Sequence, residues 1–139
     1  MTDAAAPALG DVWRYPFLWS REAARGETEG RKDRPVVLSL LVRNRSDELV
    51  VLMLPITSVL QHSPYSMEVP DIEKRRAGLD AHMALWIVAD EANEDIPAKS
   101  FYFEPGNRIG RFSSSFTKQV QGLMVDALKA RQISRTSRR

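Results

Sequence analysis

Two strand-length apolar runs, residues 36–42 and 49–54, stand on either side of the polar stretch Arg43-Asn44-Arg45-Ser46-Asp47-Glu48. Runs this short and this rich in valine and leucine, joined by a polar connector, read as the two strands of a hairpin. Their near-continuous apolarity requires cover on both faces, one from the domain core and one from a helix or a second subunit. The chain must therefore fold around a buried sheet. Each run also borders residues that apolar strands rarely carry: Arg34-Pro35 opens the first, and Pro55-Ile56-Thr57-Ser58 closes the second. A guanidinium and neutral hydroxyls brought to one rim of a small sheet suit an anionic ligand such as phosphate.

The remaining segments add strands and one helix. Residues 10–15 alternate as a first strand that Pro16 ends. Residues 17–33 are dense in charge and punctuated by Gly26 and Gly30, the character of a functional or mobile loop, here a flap lying just before Arg34. Residues 65–69 read as a short strand stopped by Pro70, residues 71–76 as a charged turn, and residues 85–89 as a strand ending on the acidic run Asp90 to Asp95. Residues 101–103 read as an edge segment before Pro105-Gly106-Asn107. Ser113 to Ser115 then offer an N-cap, and Phe116, Val120, Leu123, Met124, Ala127 and Leu128 recur at helical spacing. Strands without helices between them disfavour a doubly wound α/β fold. The expectation is a mainly β domain with a C-terminal helix, a small, partly open β-barrel or strongly twisted sheet.

A chain of 139 residues, 43% of them hydrophobic, fits one domain that buries its own core. We place a flexible tail at residues 1–9, the domain at 10–131 and a basic tail at 132–139. The absence of cysteine excludes disulfides, thiolate zinc sites and a cysteine nucleophile, and accords with a reducing cytoplasm. The N-terminal residues lack a basic and apolar leader pattern, and the longest apolar runs are too short for a bilayer, so a soluble protein without a membrane partner is expected. Residues 129–139 carry Lys129, Arg131, Arg135, Arg138 and Arg139 without an acid, which makes the rest of the chain net acidic within a total of +2. Such an end reads as solvated tail, or as a source of non-specific attraction to polyanions.

Other polar clusters read plainly. The run from Asp90 to Asp95 lacks the alternating ligands and the glycine of a calcium loop, and reads as a solvated strand-to-loop face. His62 and His82 have no second histidine at i+4 and read as surface residues, so neither metal nor cofactor is expected. Trp13, Trp19 and Trp86 suit core or dimer packing, with Trp19, beside the charged loop, the candidate for stacking on a base.

Gly10-Asp11-Val12, Arg34-Pro35-Val36-Val37, Leu54-Pro55-Ile56-Thr57-Ser58 and Trp86-Ile87-Val88-Ala89-Asp90-Glu91, in that order and followed by a closing helix, resemble the PemK/MazF family of toxins from toxin–antitoxin modules. The resemblance spans residues 10–131. It implies an SH3-like small β-barrel of the PemK/MazF/CcdB type, a homodimer, metal-independent cleavage of single-stranded RNA such as mRNA, and neutralisation by a cognate antitoxin protein. Arg34 matches the family's arginine, and Thr57 and Ser58 match its strand-end pair. Several members carry a second arginine where this chain has Asn93.

Attack of a ribose 2′-hydroxyl on the adjacent phosphate needs a proton acceptor and stabilisation of charge on the phosphoryl oxygens. Arg34 and Thr57 suit the stabilising role, and Glu91 the proton acceptor, with Asp90 second. Ser58, Asn93, Arg31, Lys32 and Trp19 complete the expected substrate-binding set. The plainer reading makes Arg34 a solvated strand edge and Thr57-Ser58 a turn that bonds its own backbone. Two other functions fit the same residues: a toxin-like module that binds a protein target such as a topoisomerase, and a silent RNA-binding or interaction domain.

Overall fold

The hairpin lies at the centre of the sheet. In the computed structural model, which describes residues 6–28, 30 and 32–138, β2 (Arg34–Arg43) pairs antiparallel with β3 (Leu49–Thr57). On the outer side of β2 lie β1 (Asp11–Tyr15) and then β7 (Arg108–Arg111). Beyond β3 the sheet divides. Ile56 and Thr57 pair with β5 (Trp86–Val88), which carries β4 (Ser66–Glu68), while Val51 to Met53 pair with β6 (Glu91–Asp95). The outer edge of β6 takes β8 (Ser134–Ser137) in parallel. Among the described residues there are three α-helices: α1 (Ser20–Ala23), α2 (Asp71–Ala77) and α3 (Ser114–Lys129).

The fold is therefore mainly β with a C-terminal helix. The strand path β4-β5-β3-β2-β1-β7 has no ladder joining its ends among the described residues, so the sheet is open and does not close into the expected barrel.

Alternation sends side chains to two cores. On one face, Val12, Val37, Leu52, Leu54 and Ile56 pack against Phe116, Val120 and Met124 of α3. On the other, Trp13, Tyr15, Val36, Leu38, Val51 and Met53 are covered by Phe17 and Trp19, with Tyr102 and Phe103 packed alongside. Both faces of the hairpin are thus covered within one chain, by a helix on one side and by irregular, aromatic-rich segments on the other. Each large apolar side chain buried this way stabilises the fold by about 1.5–3 kcal/mol.

Local chemistry fixes the ends. Ser113 Oγ accepts from Phe116 N at 3.2 Å to cap α3, an interaction of about 1 kcal/mol. The same residue donates its N–H and O–H to Glu73 at 2.9 and 2.7 Å, joining α2 to α3. At the start of β1, Gly10 has φ +86°, and a Cβ there would meet Thr117 Oγ1 at 2.6 Å, so a side chain is excluded twice over. Asp11 beside it is fully buried, bonded to Arg111 at 2.7 Å and Arg108 at 3.2 Å.

Several segments differ from the sequence reading. The central strands run through Pro35 and Pro55, because a proline near a strand end removes at most one ladder bond. Residues 71–77 form a helix rather than a turn, started after Pro70 and stopped by Gly78 at φ 77°. The acidic run from Glu91 belongs to strand β6, and residues 101–103 form no strand, the first two lying in a turn. Residues 134–137, expected as tail, are strand β8, since backbone pairing with an exposed edge needs no apolar side chains.

Candidate functional site

Register brings the two strand junctions together. Tyr15 faces Arg34 across β1 and β2, Val36 faces Pro55 across β2 and β3, and Thr57 faces Trp86 across β3 and β5. Two residues past the Val36–Pro55 pair, the antiparallel strands reach Arg34 and Thr57, which share the face of Val36. Both therefore stand at the rim of the aromatic core. Three adjoining hollows of about 260, 300 and 160 Å³ open there, and Lys32 and Arg34 border all three. Thr57 and Ser58 border two of them, and Trp19 two.

Arg34 is the centre of this cleft. Its Nε is buried and donates to no acceptor among the described residues. Burial lowers the guanidinium's pKa, the Glu22 carboxylate opposes that, and Arg21 adds to it. A guanidinium nonetheless keeps its charge in proteins. A charged donor withdrawn from water and left without a partner is costly unless a ligand supplies the acceptor.

Trp19 forms one wall. Its indole is only 3% exposed, with the Arg21 and Arg34 guanidinium carbons 4.7 and 5.3 Å from the ring centroid. Phe17 meets it edge-on at 5.2 Å. The ring orients Arg34 by cation–π attraction, and its burial leaves no broad face for the base stacking expected of it. Thr57 Oγ1 accepts from Val59 N at 3.1 Å, the local turn anticipated as the plainer reading, which leaves the hydroxyl hydrogen to donate. Ser58 is exposed at the mouth. Arg31 lies outside the described residues.

Two expected site residues have other work. Glu91 accepts from Ser20 N at 3.0 Å and Ser20 Oγ at 2.6 Å, and it borders none of the three hollows. Asn93 is fully buried, and its amide bonds both Leu18 N and Leu18 O, at 2.8 and 2.7 Å. Neither residue borders the cleft. With Asp95, which accepts from the Tyr15 hydroxyl at 2.7 Å, they occupy alternate positions of β6. One face of that strand is thus a rack of polar groups holding residues 15–20. The solvated acidic face read from the sequence is corrected accordingly.

Other cleft residues carried no sequence signal. Arg21 and Glu22 border it from α1, and Leu79, Met83 and Leu85 form an apolar wall beyond Pro35 and Ile56. That wall is clamped by Lys74, a buried lysine whose Nζ donates to Met83 O at 2.6 Å and pairs with Asp71 at 3.1 Å. The ammonium holds the Asp71 carboxyl below its ordinary pKa through this hydrogen bond. His62 and His82 are exposed. Among the described residues no group of three His, Asp or Glu is placed to hold a metal ion, and no helix is long and apolar enough to cross a membrane.

In comparisons with known proteins, no family model matches the chain and no curated protein matches it significantly.

Proposed function

We propose that the protein is a toxin-like endoribonuclease that binds single-stranded RNA in the Lys32–Arg34 cleft, on an SH3-like sheet of the PemK/MazF type, and is neutralised by a cognate antitoxin. The observation that carries this reading is the buried, unpartnered Nε of Arg34, set among Lys32, Thr57 and Ser58. A phosphodiester oxygen supplies the acceptor that this donor lacks, Lys32 adds charge, and the Thr57 hydroxyl a neutral bond. The adjoining apolar wall accommodates the base or ribose that accompanies each phosphate. The order of Gly10-Asp11, Arg34-Pro35 and Pro55-Ile56-Thr57-Ser58 along the chain supports the family reading.

Cleavage by the 2′-hydroxyl also needs a proton acceptor. With Glu91 engaged by Ser20, the carboxylates bordering the cleft are Glu22, Asp33 and Asp80. That engagement favours a second reading, in which the cleft binds RNA without cutting it. One experiment separates the two. Unstructured RNA incubated with the protein in EDTA is expected to yield fragments ending in 2′,3′-cyclic phosphate. Arg34→Ala is expected to slow this by roughly 100-fold or more with unfolding unchanged, and Thr57→Val by less. RNA bound but uncut over hours gives the silent reading; RNA neither bound nor cut removes both.

A further inference from the structure

The wall of the cleft depends on residues 16–19, the segment between β1 and α1. Trp19 caps α1, its N–H donating to Glu22 Oε1 at 3.2 Å, while Pro16 and Leu18 are gripped from elsewhere in the chain. Asn93 clamps Leu18 through both backbone groups, and Asn93 Oδ1 also accepts from Arg138 Nη1 at 3.1 Å. The same Arg138 nitrogen donates to Pro16 O at 2.7 Å, and its guanidinium carbon stands 5.3 Å from the Tyr15 ring centroid. Arg138 is seated there by β8, through Ser134 N to Asp90 O and Arg138 N to Glu94 O, each 2.8 Å. Its one guanidinium ties together β1, β6 and the segment that carries Trp19.

The strand that delivers it is weakly held. Ser134, Arg135 and Ser137 are exposed, and β8 pairs with β6 alone. A short polar edge strand of this kind belongs to the least stable part of a fold, free to open without global unfolding.

We propose that the C-terminal strand is a latch on the basic cleft, with Arg138 the positioning residue that fixes Pro16 to Leu18 and, through them, Trp19 against Arg34. Closed, the latch holds the indole in place as the wall that orients the guanidinium. Open, it releases Asn93 from its second donor and frees the Pro16 carbonyl, so that residues 16–18 are held at this point by the Asn93 clamp on Leu18. The effect on RNA rests on the reading of the cleft given above; the effect on Leu18 does not.

The test uses the full chain with Arg138→Met, which keeps the length of the side chain, and with Arg138→Lys, which keeps the charge. Amide hydrogen exchange and the affinity for a labelled unstructured RNA oligonucleotide are measured on both. Arg138→Met is expected to speed exchange at Leu18 at least 10-fold while the amides of β2 and β3 keep the parental rate, and to weaken RNA binding by a similar factor. Arg138→Lys is expected to restore part of both, in step, because an ammonium reaches the Pro16 carbonyl without the paired geometry of a guanidinium. Unchanged exchange at Leu18, or exchange raised uniformly over the sheet, overturns the latch. So does a lysine variant that recovers RNA affinity without Leu18 protection, which assigns Arg138 to direct contact with RNA. A parent protein that binds no RNA removes the RNA reading, and Leu18 exchange alone then decides the latch.

Discussion

The Tyr15 hydroxyl donates to Asp95 Oδ2 at 2.7 Å beneath the cleft. Burial raises the phenol's pKa most, and the hydrogen bond to Asp95 and that residue's charge raise it further, against the opposing pull of Arg138. The folded protein therefore keeps this phenol neutral at a pH where the unfolded chain ionises it, near the ordinary tyrosine value of about 10. Its contribution to stability is full below that value and is lost as pH rises above it. Tyr15→Phe should cost about 1–3 kcal/mol at neutral pH, since Asp95 Oδ2 loses its donor. It should also flatten the decline in stability between about pH 9 and about pH 11. Urea unfolding of parent and variant across that range checks both, and curves that fall in parallel would show that the phenol titrates normally. Asn93 and Glu91 were misplaced from sequence for a related reason. A polar run looks solvated until strand parity is known, and only the inward Ala92, buried in the helix-side core, shows that Glu91, Asn93 and Asp95 all point the other way.

At the scale of elements, the hairpin and α3 were legible because their signals are internal: apolar runs for β2 and β3, helical spacing and a serine cap for the helix. The meeting of Arg34 and Thr57 was legible too, as it follows from the hairpin register. What escaped were elements defined by partners distant in sequence. β8 exists because β6 offers it an edge, and α2 because Ala77 is buried in the helix-side core and Lys74 bonds the carbonyl of Met83. The charged loop at 17–33 is an intermediate case. Phe17, Leu18 and Trp19 are buried, α1 follows them, and Gly30 lies so close to the Pro16 carbonyl that a Cβ would sit 2.3 Å from its oxygen. Gly26 instead has open space around it and φ +89°. Limited proteolysis should therefore cut first near Gly26, while a first cut at Gly30 or within residues 17–20 would mean that the segment is not docked as described.

For the whole molecule, an open sheet with two cores leaves apolar side chains exposed in several places, and one group of them lies where β2 meets α3. Leu40 and Val42 of β2, and Val125 and Leu128 of α3, are exposed apolar residues on neighbouring elements that Gln121 links by donating to the Ser39 carbonyl. Val125 and Leu128 share a helical face with Gln121, so the two elements present their apolar residues together. A surface of this kind fits self-association, the expectation drawn from the sequence. Sedimentation at micromolar concentration should show a species near twice 15.7 kDa, and Val42→Glu together with Val125→Glu should return the monomer without lowering the unfolding temperature much. A parent that sediments only as monomer leaves this face without a second copy. The flanked indole of Trp19 gives the molecule one more property, an optical one. An excited indole responds to the electric field at its ring, and here two guanidinium groups contribute to that field, 4.7 and 5.3 Å from the ring centroid. An anion that draws Arg34 toward itself changes that field, so the Trp19 share of the emission, read over the background of Trp13 and Trp86, is expected to shift as the cleft fills.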